Sequence, residues 1–285
     1  MTDPDVSRPA PPATARSWSD LGPRVISGLV LIAITIASIW AGGLLFAAVI
    51  GLVFAGAYRE WENMVTLKPV TAVGIAFMIA VAVAALVYPW LGAAGTMGIV
   101  IAAAAVALML RGEAALWRAG GLVFFGAVIV SALALRGGDQ NGLLACVFVG
   151  TAVWGTDTGA FFIGRQVGGE KLAPWISPGK TWSGAVGGLA AATLMCSILW
   201  IWFTDSPLWI GIALAVILSI VSQVGDLSES AVKRRFRVKD SGDIIPGHGG
   251  LMDRLDSITF GAIAAFVIGG LHAGFNLPAA GLLLW

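Results

Sequence analysis

Charge is scarce in this sequence. Only 12% of its 285 residues are Asp, Glu, Lys or Arg, against 58% hydrophobic, and the mean hydropathy is +0.89. An ordinary soluble domain carries about a quarter charged residues, so this composition excludes one and points to a chain whose solvent is the bilayer. Cysteine is nearly missing. Cys146 and Cys196 lie in separate apolar runs with no CxxC spacing; both read as buried thiols, and neither a disulfide framework nor a cysteine zinc site is expected. No internal repeat stands out, no Gly-rich dinucleotide fingerprint follows a strand, and no cleavable signal peptide is expected. Gly179-Lys180-Thr181 has the end of a P-loop, but the glycine required five residues before it is Pro174, and no preceding strand is expected.

Apolar runs are plentiful. Nine lie at or near membrane-spanning length: 25–40, 43–58, 70–88, 93–110, 122–135, 143–164, 185–203, 208–225 and 255–275. The expected fold is all-α, a polytopic membrane protein of about nine transmembrane helices. Its parts are a disordered cytosolic tail (1–23), N-terminal transmembrane helices (24–140) and a C-terminal catalytic region with two cytosolic loops (141–285). With nine spans, 16 of the 17 Lys and Arg fall on the N-terminal side and only Arg136 on the other. The positive-inside rule then puts the N-terminus and the polar loops in the cytosol, in a cell (inner or plasma) membrane. Trp40, Trp61, Trp90, Trp154, Trp202, Trp209 and Trp285 lie near span ends, as an interfacial aromatic belt would. His272, near the end of the last run, needs no other role.

The charge that exists is concentrated between Gly225 and Asp256, which hold six basic residues and five aspartates. If 208–237 is one helix, Ser222, Asp226, Ser230 and Lys233 share a face, with Arg234 and Arg237 close to that line. Asp226 would then lie inside the membrane part of the helix, where a carboxylate is costly and marks a candidate functional site. A glycine-rich loop, 241–250, follows Lys239-Asp240. His248 within it suits either loop architecture or a phosphate or base role. Asp253 and Asp256, three apart, are expected on one face of the first turn of the next helix, where the dipole favours negative charge. Two carboxylates from one helix and a third from another suit a hard cation. A second polar connection, 154–188, adds Asp157 among apolar residues and a Ser177–Thr181 turn whose hydroxyls, backbone N–H groups and Lys180 suit phosphate.

Acids for a divalent metal, clustered cations and a membrane-embedded site suit phosphoryl or nucleotidyl transfer onto a lipid. These parts alone leave kinase, phosphatase and nucleotidyltransferase open. The pattern Ser230-Ala-Val-Lys-Arg, Lys239-Asp240, Pro246-Gly-His-Gly-Gly, Asp253-Arg-Leu-Asp256 resembles the signature of the phosphatidate cytidylyltransferase (CDP-diacylglycerol synthase) family. Asp157-Thr-Gly-Ala, Ser177-Pro-Gly-Lys-Thr-Trp and Gly225-Asp226 are similar to it as well. The resemblance implies that CTP and phosphatidic acid give CDP-diacylglycerol and pyrophosphate, a step in phospholipid biosynthesis. It implies Asp226 and Asp253 as Mg²⁺ ligands with Asp256 as a third, and a monovalent cation such as K⁺ beside the Mg²⁺. Lys233, Arg234 and Lys239 would meet phosphates. Ser177, Lys180, Asp157, Ser230, Asp240, His248 and Arg254 would complete the substrate-binding set. The implied partners are CTP, phosphatidic acid and the bilayer, with no nucleic acid; a homodimer is left open. The alternatives are a CTP-dependent lipid (polyprenol-type) kinase and a cation-coupled transporter, the latter predicting repeat symmetry that the sequence lacks.

Overall fold

The computed structural model describes residues 21–244 and 249–285, with side chains from residue 28 onward. The tail before residue 21, together with Pro246, Gly247 and His248, lies outside the described residues. The helices in chain order are α1 (Leu21–Ala41), α2 (Gly43–Thr66), α3 (Ala72–Leu86), α4 (Tyr88–Met109), α5 (Ala115–Arg136), α6 (Gln140–Val167), α7 (Trp182–Phe203), α8 (Leu208–Arg235), α9 (Asp256–Ala273) and α10 (Pro278–Leu283). Each predicted apolar run lies largely on one of the first nine. Seven of the described helices are long and apolar enough to cross a membrane; the described part of α1 and α3 are shorter apolar helices. The protein is thus a helical, multi-pass membrane protein.

Local chemistry sets several helix starts. Thr71, Asp139 and Thr181 stand at the N-termini of α3, α6 and α7, and each side-chain oxygen accepts from a backbone N–H three residues on. Arg136, the lone cation assigned to the far side, is buried. Its guanidinium donates to the Ile39 carbonyl and, at 3.0 Å, to the Trp40 carbonyl at the end of α1. It caps a helix, so its exception to the charge asymmetry has a structural cause.

The helices enclose two cores. Phe54, Tyr58, Phe77, Val81, Leu122 and Phe125 centre the first, built from α2 to α5. Phe148, Val149, Val153, Trp200, Leu214 and Leu218 centre the second, built from α6 to α10. Met252 belongs to the first, and Val232, Phe236 and Val238 pack against it. The end of α8 and the loop after it therefore dock onto the N-terminal bundle.

Three sequence expectations change here. The Ser177–Thr181 turn is a strand, β2, paired antiparallel with β1 (Lys171–Ala173) in a hairpin that joins α6 to α7. Arg237 leaves the line of α8, which ends at Arg235; Arg237 itself has φ 59°. Trp61 is not an interfacial anchor. Its indole N–H donates to the Trp117 carbonyl at 2.9 Å, and its ring packs against Trp117 and Phe125 inside the bundle.

The run ending at Tyr58 also continues as helix to Thr66, which carries Glu60 and Glu62 into the interior, 2% and 0% exposed. Glu62 is held by Arg118, whose Nε lies 3.0 Å from both carboxylate oxygens. Arg118→Met should therefore destabilise the protein by about 3–5 kcal/mol, the usual cost of a buried charge losing its partner. Adding Glu62→Gln should recover most of that loss. Thermal unfolding of the three purified variants in detergent checks both expectations.

Candidate active site

The polar site forms where α6, α8, α9, the hairpin and the 241–252 loop meet. Asp226 projects from α8 one turn before Ser230, whose hydroxyl lies 3.5 Å from Asp226 Oδ1. Asp226 Oδ2 forms an ion pair with Lys180 from β2. The hairpin is tied to α8 a second time, because Arg234 Nε donates to the Ile176 carbonyl at 3.2 Å. Asp157 on α6 accepts from the Ser257 hydroxyl at 3.3 Å. Asp157, Asp226 and Asp256 lie close enough that each repels the other two. Three carboxylates gathered this way need positive charge, and Lys180 supplies one.

Asp253 stands in a second group. It lies on a single 3₁₀ turn (Met252–Arg254), which passes through Leu255 into α9, beginning with Asp256. The two aspartates therefore lie on successive helical segments, and not in the first turn of one helix as their spacing predicts. Asp253 Oδ2 accepts from the Ser241 N–H at 2.9 Å and the Gly250 N–H at 3.2 Å. Its other oxygen, Oδ1, meets Lys233. Burial alone would raise the Asp253 carboxyl, but the hydrogen bonds from Lys233 and the Ser241 backbone outweigh it and hold the group below the ordinary carboxylate range. Lys233 is buried and also donates to Glu229 at 3.1 Å, so one cation sits between two carboxylates.

The remaining predicted site residues sit around these two groups. Ser177 is half-buried on β2; Arg234, Lys239, Asp240 and Arg254 are exposed. His248 is outside the described residues. Beside Asp256 and Glu229 lies a cavity of about 150 Å³ with apolar walls from Trp61, Phe124, Phe125 and Phe260.

Among the described residues, no three Asp, Glu, His or Cys side chains form a ready metal cage. Asp226 holds Lys180 and Asp253 holds Lys233. The donor chemistry still fits a hard divalent cation. Carboxylate oxygens are the ligands Mg²⁺ takes, and the ammonium groups of Lys180 and Lys233 lie on the carboxylates as stand-in cations.

Sequence reasoning missed Glu60, whose carboxylate accepts three hydrogen bonds from the 241–252 loop. It read the apolar run as stopping at Tyr58. The available signal was the helical spacing of Phe54, Tyr58, Trp61 and Val65, which keeps one apolar face running past the acids. Glu60 also explains two glycines of the loop. A Cβ at Gly242 would lie 2.6 Å from Glu60 Oε1, and one at Gly250 would lie 2.9 Å from Glu60 Oε2 and overlap the Ser241 hydroxyl.

Fold and site together define a multi-pass helical membrane enzyme whose charged centre is assembled at the ends of its C-terminal helices. The chain belongs to the cytidylyltransferase family, whose model matches residues 22–271. Among curated proteins it is similar to the phosphatidate cytidylyltransferase of Brucella suis, at 38% identity over 92% of this chain and 98% of that protein. It is also similar to those of Bacillus subtilis, at 42% identity over 44% and 47% of the two chains, and Haemophilus influenzae, at 45% over 42% and 43%.

Proposed function

We propose that this protein transfers the cytidylyl group of CTP to phosphatidic acid, giving CDP-diacylglycerol and pyrophosphate. The observation that carries this reading is the pair of carboxylate–lysine contacts, Asp226 with Lys180 and Asp253 with Lys233, in the two groups of the polar site. Relatives that share most of the chain's length bear that activity in their name. A phosphate oxygen of the lipid attacks the α-phosphorus of CTP, the bond from that phosphorus to the bridging oxygen of the β-phosphate breaks, and pyrophosphate leaves with the electron pair. The attacking oxygen is already anionic, so alignment and charge neutralisation carry the catalysis.

Lys233 and Lys180 would exchange their carboxylate partners for substrate phosphates, with Arg234 and Lys239 at the rim. Asp226, Asp253 and Asp256 would hold Mg²⁺, which supplies charge neutralisation at the triphosphate when bound. Asp157 and Asp240 orient these cations. The apolar cavity beside Asp256 gives the glycerol end of the lipid a dry wall, while the acyl chains stay in the bilayer. The N-terminus and the site face the cytosol of a cell membrane, a reading supported by 16 of 17 Lys and Arg falling on that side.

Radiolabelled CTP tests the reaction against its nearest rival. Purified protein given Mg²⁺ and phosphatidic acid is expected to move label from the α-phosphate into lipid and to release pyrophosphate. Label entering lipid from the γ-phosphate, with release of CDP, would mean a kinase and overturn the proposal.

A further inference from the structure

Glu60 has no place in the chemistry above, and it comes from the half of the chain that gives the proposed site apolar walls but none of its charged groups. Its carboxylate is nonetheless buried against the loop that leads to Asp253. Oε1 accepts from the Leu251 N–H at 2.9 Å, while Oε2 accepts from the Ser241 hydroxyl at 2.9 Å and the Met252 N–H at 2.8 Å. Ser241 and Leu251–Met252 are the two ends of the loop. Asp253 holds the same two ends from the other side, through the Ser241 and Gly250 N–H groups. Two carboxylates from opposite halves of the protein thus clamp one loop, and the second of them is a site residue one position beyond Met252.

We propose that Glu60 is a positioning residue of the transferase site: it fixes both ends of the 241–252 loop and so aims Asp253 and, through it, Lys233. The proposal rests on the roles given above to those two residues. A carboxylate is required because three donors converge on its two oxygens. Glutamine has the same shape but only one acceptor oxygen, and its NH₂ would face at least one N–H or O–H donor. Loss of such a supporting partner costs about 10–100-fold in metal affinity or activity in comparable sites.

The test compares Glu60→Gln with Glu62→Gln and Asp253→Asn in the full-length purified protein. Glu62 is a buried acid two residues away that touches Arg118 and not the loop. Three readouts are taken: hydrogen exchange across 241–252, Mn²⁺ binding followed by electron paramagnetic resonance, and kcat with KM for CTP. Glu60→Gln should exchange faster in the loop, bind Mn²⁺ about tenfold more weakly and lose about a hundredfold in kcat. Glu62→Gln should lower the unfolding temperature yet leave Mn²⁺ affinity and the kcat of folded protein within about twofold of wild type, as expected for a group outside the clamp. Wild-type Mn²⁺ affinity and kcat in Glu60→Gln would overturn the proposal.

If Asp253→Asn leaves Mn²⁺ affinity unchanged, the metal assignment of Asp253 falls. The kcat of Glu60→Gln then decides the Glu60 proposal alone, a hundredfold loss supporting it and a wild-type value overturning it. Should Glu60→Gln fail to fold, Ser241→Ala removes one arm of the clamp and should lower kcat about tenfold in the same direction. A wild-type kcat in that variant would count against the proposal equally.

Discussion

Asp226→Asn is expected to lower turnover by about a thousandfold while leaving the protein folded. Losing one group that stabilises transition-state charge commonly costs 10²–10³-fold, or about 4 kcal/mol at the upper end. Asp226 should sit at that end, because it is the partner of Lys180 and, in the proposed reaction, also a metal ligand. The fold should tolerate the change. The side chain is 26% exposed, asparagine matches its volume, and the amide can still accept from Ser230 at the same position. Single-turnover transfer of α-labelled CTP, with the unfolding temperature measured alongside, separates the two effects. Turnover within about tenfold of wild type would remove Asp226 from the site, since no group holding reacting charge is that dispensable.

Lys233→Met should damage both stability and substrate binding. The family resemblance implies Lys233 as a phosphate contact. The structure adds that its ammonium lies between Glu229 and Asp253, both largely enclosed. Methionine fills a similar volume without charge, leaving both carboxylates without their cation. Breaking a buried pair in this way costs about 3–5 kcal/mol, so the unfolding temperature should fall by several degrees. In the protein that remains folded, KM for CTP or for phosphatidic acid should rise. Lys233→Arg, which keeps the charge, should restore stability more fully than activity, because the planar guanidinium cannot reproduce a point contact. If Lys233→Met unfolds like wild type, the lysine does not hold the two acids together. If both Michaelis constants are unchanged, it does not meet substrate.

The site was partly legible before any coordinates. The face of α8 carrying Asp226, Ser230 and Lys233 follows from helical spacing, and the structure keeps those residues on one side of one helix. The motif spacing pointed to the family that the whole-chain comparison shows. The pairing of Asp253 with Asp256 was misread for an identifiable reason. Spacing of three was read as one α-helical turn, but Asp253 lies on a separate 3₁₀ turn and Asp256 opens α9. Trp61 was misplaced and Glu60 and Glu62 were passed over, because a hydropathy run ends at the first charges whether or not the helix does.

By itself the sequence determined that this chain belongs in a bilayer and where along it the chemistry is concentrated. Hydropathy and charge clustering are properties of contiguous residues and need no fold to be read. Only the tertiary structure decided which carboxylate faces which cation, and that an acid in the second helix grips a loop 181 residues later. Those pairings depend on how helix ends from distant segments are brought together by two separate apolar cores, and residue spacing along the chain carries no trace of that meeting.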